Sequence, residues 1–247
     1  MLHVFKCDLH IHTCLSPCGD LNMYPRAIVR KAHELGLDCI AVCDHNTAEN
    51  VSFVKKAALH SPLKIIPGME ITSREEVHIL ALFDNLENLL SLQEIVHAHL
   101  PGENDEERFG CQAIVNENDE VEGFSNRLLI GATTLPLTDI VEAIHKRGGL
   151  AIAAHIDRES FSVIGQLGFV SREMQFDALE VSARLSLKEA RRVFPSLSEW
   201  SLISSSDAHF IEDIGRAYTQ LLVEAPTVEE LKLALKNEKG RVVFTEE

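Results

Sequence analysis

Seven short apolar runs, most of them closing on a histidine or a carboxylate, constrain this chain more than any other feature. They are Val4–His12, Asp38–Cys43, Leu63–Pro67, Val77–Phe83, Leu150–Ala154, Ala178–Ser182 and Leu202–Ser206. Between most of them lie stretches of helical periodicity. Pro25 opens one, with Ile28, Ala32 and Leu35 on a single stripe before Gly36; proline at a first helical position gives up an N–H that had no partner anyway. Others cover about Ala48–Leu59, Leu86–His99, Leu137–Arg147 and Leu187–Val193, and Thr227-Val228-Glu229-Glu230 is a capping box for a last helix. Strands alternating with helices predict a parallel sheet with helices packed outside it. An open doubly wound sheet gathers its ligands at one crevice. Here polar groups stand at the ends of nearly all strands, the mark of a closed barrel with its site at the mouth. One barrel domain over residues 1–247 is expected, interrupted by an insertion at about 87–136. Within the insertion, Gln112–Asn116 and Val121–Phe124 read as a hairpin. The first reading of the insertion is a solvated excursion, and the second a lid.

The polar groups are of one chemical kind. His10 and His12 are two apart in a strand and so share a face. Beyond them come Cys18 or Asp20 in the Ser16–Asp20 loop, His45, Glu70, His78, His155, Asp207 and His209. Taken singly each has a plainer explanation: His78 as a satisfied core histidine, Asp207 as a helix N-cap, Asp44-His45 as a capped turn, Cys14 and Cys18 as half a zinc knuckle. Glu180 also ends a strand, but it is read as a partner for an arginine outside the ligand set. Taken together, about nine donors are too many for one ion, which uses three or four protein ligands. Two or three divalent ions are expected, with a carboxylate shared between them. Glu70 suits that place because nothing else acidic ends the third strand. Nitrogen mixed with carboxylate suits zinc, manganese or iron.

Composition narrows the remaining choices. The net charge is −15 with histidine neutral. That predicts no broad duplex nucleic-acid footprint and leaves room for a small phosphorylated substrate or a short oligonucleotide. No apolar run approaches a membrane span, and the N-terminus lacks the pattern of a signal peptide. The cysteines at 7, 14, 18, 39, 43 and 111 form no disulfide framework, and a reducing cytoplasm is expected.

Asp8-Leu9-His10-Ile11-His12-Thr13, Cys43-Asp44-His45-Asn46, Gly68-Met69-Glu70, His78, Ala154-His155 and Ser206-Asp207-Ala208-His209, in that order, resemble the motifs of the polymerase-and-histidinol-phosphatase (PHP) superfamily. The resemblance covers about residues 4–210. It implies a distorted (β/α)7 TIM-like barrel with a trinuclear metal centre. Carried over, His10, His12, Glu70 and Asp207 would hold one ion, Glu70, His78 and His155 a second, and His45 and His209 with a loop residue a third. The chain departs from the family at that loop residue. Members often carry an aspartate directly before the loop glycine, and here Cys18 precedes Gly19, with Asp20 after it. Cys18 is the preferred ligand, and a thiolate favours zinc or iron over manganese.

The function so implied is metal-dependent hydrolysis of a phosphate ester. The nucleophile is a hydroxide generated at the metal centre rather than a side chain. Asp207 and His209 are the catalytic candidates, and Arg158 and Arg184 are the candidates for gripping phosphate. Within the same superfamily the alternative is a nuclease acting on oligonucleotides. A metal-dependent amidohydrolase is a weaker alternative, because its usual bridge is a carboxylated lysine and here Glu70 fills that place. A barrel kept only for regulation or assembly would be expected to have lost more of the ligand set.

Overall fold

The computed structural model describes residues 1–244. In chain order its elements are β1 His3–Ile11, α1 Pro25–Glu34, β2 Cys39–Val42, α2 Val51–Ala57, β3 Lys64–Thr72, β4 His78–Leu82, α3 Leu86–Ala98, α4 Glu106–Phe109, β5 Ala113–Val115, β6 Val121–Phe124, α5 Leu137–Lys146, β7 Leu150–Ala153, α6 Val163–Leu167, β8 Ala178–Val181, α7 Leu187–Val193, β9 Leu202–Ser204, β10 Thr219–Val223, α8 Val228–Leu235 and β11 Val242–Phe244. The main sheet runs β11-β10-β1-β2-β3-β4-β7-β8-β9. Its seven strands from β1 to β9 curl into a ring. The chain just past β9 seals it: Ala208 bridges to Ile11 in parallel, receiving a hydrogen bond from His12 N at 3.0 Å and giving one to His10 O at 3.3 Å. The fold is therefore the expected barrel, nearly closed.

Two departures from the sequence expectation matter. The sheet is not all parallel, because β4 is antiparallel to both neighbours, β3 and β7. Only residues 73–77 separate β3 from β4, and a parallel crossover needs a dozen or more. The reversal puts the start of β4, not its end, at the barrel mouth, and His78 is its first residue. In addition, β3 runs through Pro67 and Gly68 to Thr72, so Glu70 stands within the strand. The last strand of the chain lies outside the ring. It forms β11, beyond β10 at the sheet edge. Residues 245–247 of the expected domain lie outside the described residues.

Alternating strand residues feed two apolar layers. One, with Ile40, Val42, Ile79 and Leu179, packs beneath α1, α2, α5 and α7. The other, with Leu9, Cys43, Ile66, Leu80 and Ile152, lines the opposite face of the strands together with Leu231 and Leu235 of α8. Asp84 caps α8, accepting from Val228 N at 2.8 Å, and Lys232 Nζ donates to Gly148 O at 2.7 Å. These contacts fix α8 where β4 ends and β7 begins, the end of the barrel away from His78.

The hairpin of the insertion is present as β5 and β6. Much of the segment is exposed, α4 burying no residue and β6 being mostly exposed, but side chains of the barrel fasten it. The Asn50 side chain spans α2 and β5, donating to Ala113 O at 3.2 Å and accepting from Val115 N at 3.1 Å. Asn46 Nδ2 donates to Leu129 O and Gly131 O, both at 2.8 Å. Cys14 is buried under the hairpin, its O accepting from Ala113 N at 3.2 Å, which removes it from any zinc knuckle.

Candidate metal centre

Eight of the nine expected donor residues meet at the mouth of the ring, and seven of these eight are buried. β1 supplies His10 and His12. The turn after β2 supplies His45, β3 supplies Glu70, and β4 supplies His78. His155 follows β7, and Asp207 and His209 follow β9. A register shift between Asp8 and Ile11, where β1 meets β2, bends β1 at the histidines. His155 and Asp207 have positive φ, 30° and 51°. A left-handed backbone at a non-glycine residue is costly, and such positions cluster at functional sites.

Glu70 lies at the centre. Its Oε1 is 2.9 Å from His78 Nδ1, 3.1 Å from His155 Nε2 and 3.5 Å from His10 Nε2; its Oε2 is 3.0 Å from His45 Nδ1 and 3.4 Å from His12 Nε2. Asp207 Oδ1 is 3.4 Å from His10 Nε2 and 3.2 Å from His12 Nε2. Hydrogen bonding does not account for this crowding. His45 Nδ1, His78 Nδ1 and Asp207 Oδ1 are buried without a hydrogen-bond partner, although opposite groups stand close by. The two β1 histidines make the point most directly. His10 Nδ1–H donates to Glu180 Oε2 at 3.0 Å, and His12 Nδ1–H donates to Ser16 Oγ at 2.9 Å, which in turn donates to Asp44 Oδ1. With both Nδ1 donors used, the two Nε2 atoms face each other at 3.1 Å, an approach that needs a proton or a metal ion between them. Donors each about 2.1 Å from one ion stand roughly 3.0–3.4 Å apart, and that is the spacing found here.

The electrostatics agree. Burial works against the charge of Glu70, but His78, His10 and His45 hold it well below the usual carboxylate range. Burial would lower His10, yet Glu180, Asp207 and Glu70 lift it well above the ordinary imidazole value, and His45 is lifted likewise by Glu70 and Cys18. The buried carboxylates call for positive charge, and the raised imidazoles offer protons where metal ions would serve. The residues therefore fit divalent ions. Three groups have mutually close donor atoms: His10 with His12 and Glu70, His45 with Glu70 and His78, and His12 with His45 and His209. Relative to the sets implied by resemblance, His12 also reaches the third group and His45 the second.

At the loop, Cys18 is the residue that faces the cluster. Desolvation raises its thiol, but the neighbouring His45 and His209 imidazoles win and draw it down to about 5. Asp20 is engaged elsewhere, its Oδ1 accepting from Asn22 N at 2.8 Å. Glu180, set aside in the sequence as an arginine's partner, instead holds His10 Nδ1 and His155 N at 3.1 Å. The one clue in the sequence was a carboxylate within the apolar run Ala178–Ser182; its partner His10 lies 170 residues away. Arg158, expected at a substrate phosphate, pairs with Asp207 Oδ2 at 2.6 Å. Arg158, Arg184, Cys18, Asp207 and His209 share the walls of an adjoining cavity of ≈ 630 Å³.

The family model described as PHP domain matches residues 8–188, and that described as PHP-associated matches residues 200–239. A 5'-3' exoribonuclease of Haemophilus influenzae is 32% identical over 80 residues, 31% of this chain and 28% of that relative. The lesion-specific endonuclease PfuEndoQ of Pyrococcus furiosus aligns with a TM-score of 0.71 at 21% identity, over 98% of this chain and 58% of that one. An endonuclease Q in complex with a 27-mer duplex substrate, an abasic lesion at its active site, aligns at 0.70 and 20% identity, over 97% and 58%. The chain thus spans well under two thirds of these relatives. The last comparison overturns the expectation that net charge excludes a duplex footprint, since a protein that contains this fold is seen there with a duplex substrate. Net charge sums the whole surface, whereas binding uses a local patch. No helix among the described residues is long and apolar enough to cross a membrane.

Proposed function

The chain belongs to the PHP domain family, and we propose that, as a metal-dependent hydrolase of that family, it cleaves phosphate esters in nucleic acid or nucleotides. The observation that carries the reading is the convergence of the His10 and His12 Nε2 atoms, 3.1 Å apart, on the buried carboxylates of Glu70 and Asp207. Glu70 would be shared between ions, with His10, His12 and Asp207 on one side and His45, His78 and His155 on the other. Cys18 and His209 would complete the third position. Ions bound there would lower the pKa of water and offset charge on the phosphoryl oxygens.

The chain's own groups would do the rest. Arg158 is fixed by Asp207, and Arg184 lies on the same cavity wall. Their guanidinium groups suit two oxygens of a phosphate. His209 is partly exposed, and its Nδ1–H donates to Asp207 O at 2.9 Å, which orients the ring toward the cavity. From there it is the candidate to protonate a leaving oxygen, a role in competition with metal ligation. The activities of the relatives, an exoribonuclease and an endonuclease, favour phosphodiesters over a small phosphomonoester as substrate.

The test is hydrolysis of bis-p-nitrophenyl phosphate, p-nitrophenyl phosphate and labelled oligonucleotides by protein supplied with Zn²⁺ or Mn²⁺. Diester cleavage that is lost on chelation is expected. Asp207→Asn is expected to lower it at least about a hundredfold, since even a ligand's hydrogen-bond partner is worth up to that much. Cleavage surviving metal removal, or none of any ester with metal present, overturns the proposal.

A further inference from the structure

The cavity at the cluster continues. A second cavity of ≈ 240 Å³ shares Ala183 and Arg216 with it and runs past Lys188 along the outside of β10. The trough is cationic on a chain whose net charge is −15. The carboxylates of the site cavity, Asp207 and Asp213, pair with Arg158 and Arg216, so the uncompensated cations of the trough are Arg184 and Lys188. The walls of the second cavity carry Arg216 and Lys188 and, among the described residues, no carboxylate. Neither Arg184 nor Lys188 has a carboxylate within 4.0 Å among the described residues. Beside His209 stands Phe210, 49% exposed and outside every apolar cluster, on the wall of the site cavity. Cations in a row beside an exposed aromatic face are the parts from which single-strand sites are built, the groove tracking the backbone and the ring stacking a base. A small monoester bound at the donor cluster would not use Lys188, which lines only the second cavity.

We propose that a single-stranded nucleic acid lies along this trough. Its scissile phosphate sits at the donor cluster, the adjoining base stacks on Phe210, and the following phosphates pass Arg184 and Lys188. The proposal rests on the phosphoesterase reading for its first contact only.

The test is fluorescence anisotropy with fluorescein-labelled phosphorothioate oligothymidylates of two and eight nucleotides, on the metal-loaded protein. Binding of the eight-mer at least tenfold tighter than the two-mer is expected. Phe210→Ala should weaken the eight-mer about tenfold, a typical stacking loss. Lys188→Glu should weaken it similarly and reduce the salt slope by about 0.7, one phosphate contact on a single strand. Both side chains are exposed, so folding is not at stake. Length-independent binding, variants that bind like the wild type, or tighter binding of the corresponding duplex would each overturn the trough. Hydrolysis of the aryl diester in parallel reports on the catalytic reading alone. A protein that binds the eight-mer as described yet cleaves nothing would refute the reaction and keep the trough.

Discussion

Glu180→Gln separates charge from geometry at the metal centre. Glu180 Oε2 accepts from both His10 Nδ1 and His155 N, at 3.0 and 3.1 Å, while its Oε1 is buried with no partner. A glutamine can keep both bonds with its one carbonyl oxygen and put its NH₂ where Oε1 is idle. Only the negative charge is then lost. A hydrogen bond to a charged group contributes about 1.5–3 kcal/mol and a neutral one about 0.5–1.5. The difference of roughly 1–1.5 kcal/mol predicts a five- to tenfold rise in metal Kd. Glu180→Ala loses both bonds as well as the charge and should approach the upper end of the roughly 10–100-fold range for such partners. Zinc titration against a chromophoric chelator measures both variants. If Glu180→Gln binds metal within twofold of wild type, the carboxylate does not tune His10. If the two variants are equal, the hydrogen bonds to His10 and His155 add nothing beyond the charge, and the separation of charge from geometry fails.

Cys18→Asp should move metal preference away from zinc toward manganese by about tenfold or more when both are offered, since it replaces a soft donor with a hard one; metal analysis of the loaded protein decides it. Gly19→Ala would bring a Cβ within 2.6 Å of Thr13 O, so the loop carrying Cys18 must shift, at about 1–3 kcal/mol of stability. Chemical denaturation together with metal content checks that prediction, and an unshifted midpoint contradicts it. His97 is lowered to about 4 by burial and by Arg127. A base depressed in the folded state stabilises fully above its unfolded pKa, about 6.5, and the stabilisation is lost as pH falls through 6.5 toward 4. Allowing for solvent screening at a partly exposed ring, about 1–2 kcal/mol should disappear over that range. Denaturant melts of His97→Gln should lose correspondingly less between pH 7 and pH 4.5 than the wild type does.

Much of the arrangement was legible because its cause is local. Period-two and period-3.6 patterns placed strands and helices, and the polar residue after each apolar run marked the mouth. His78 was the exception: it begins its run, and alone it reads as a core histidine. The five residues between Thr72 and His78 held the answer, since no crossover fits there and the strand must turn back. What could not be read depends on partners far apart in the chain. Glu180 is 170 residues from His10. Asn50 reaches β5 from 63 and 65 positions away. An asparagine at a helix start looks like a cap in the sequence, and nothing nearby shows that its amide fastens an insertion. Arg158 follows the same logic, because a cation beside a histidine motif gives no sign that Asp207, 49 residues on, will take it.

Net charge misled about nucleic acid for a reason that yields its own prediction. At low salt a polyanion feels the whole molecule, and a net charge of −15 repels it. At about 0.15 M the screening length is roughly 8 Å, so distant carboxylates fade while contacts along Arg184 and Lys188 persist. Those contacts weaken in turn as salt rises further, because binding releases counterions. The two effects oppose each other, and kcat/KM on an oligonucleotide should climb from about 10 mM salt, peak near 0.1 M and then fall. Neutralising surface acids remote from the trough should flatten the rising limb and leave the falling one. A monotonic fall from the lowest salt would mean that the local cations dominate at every range and that the acidic surface has no bearing on encounter.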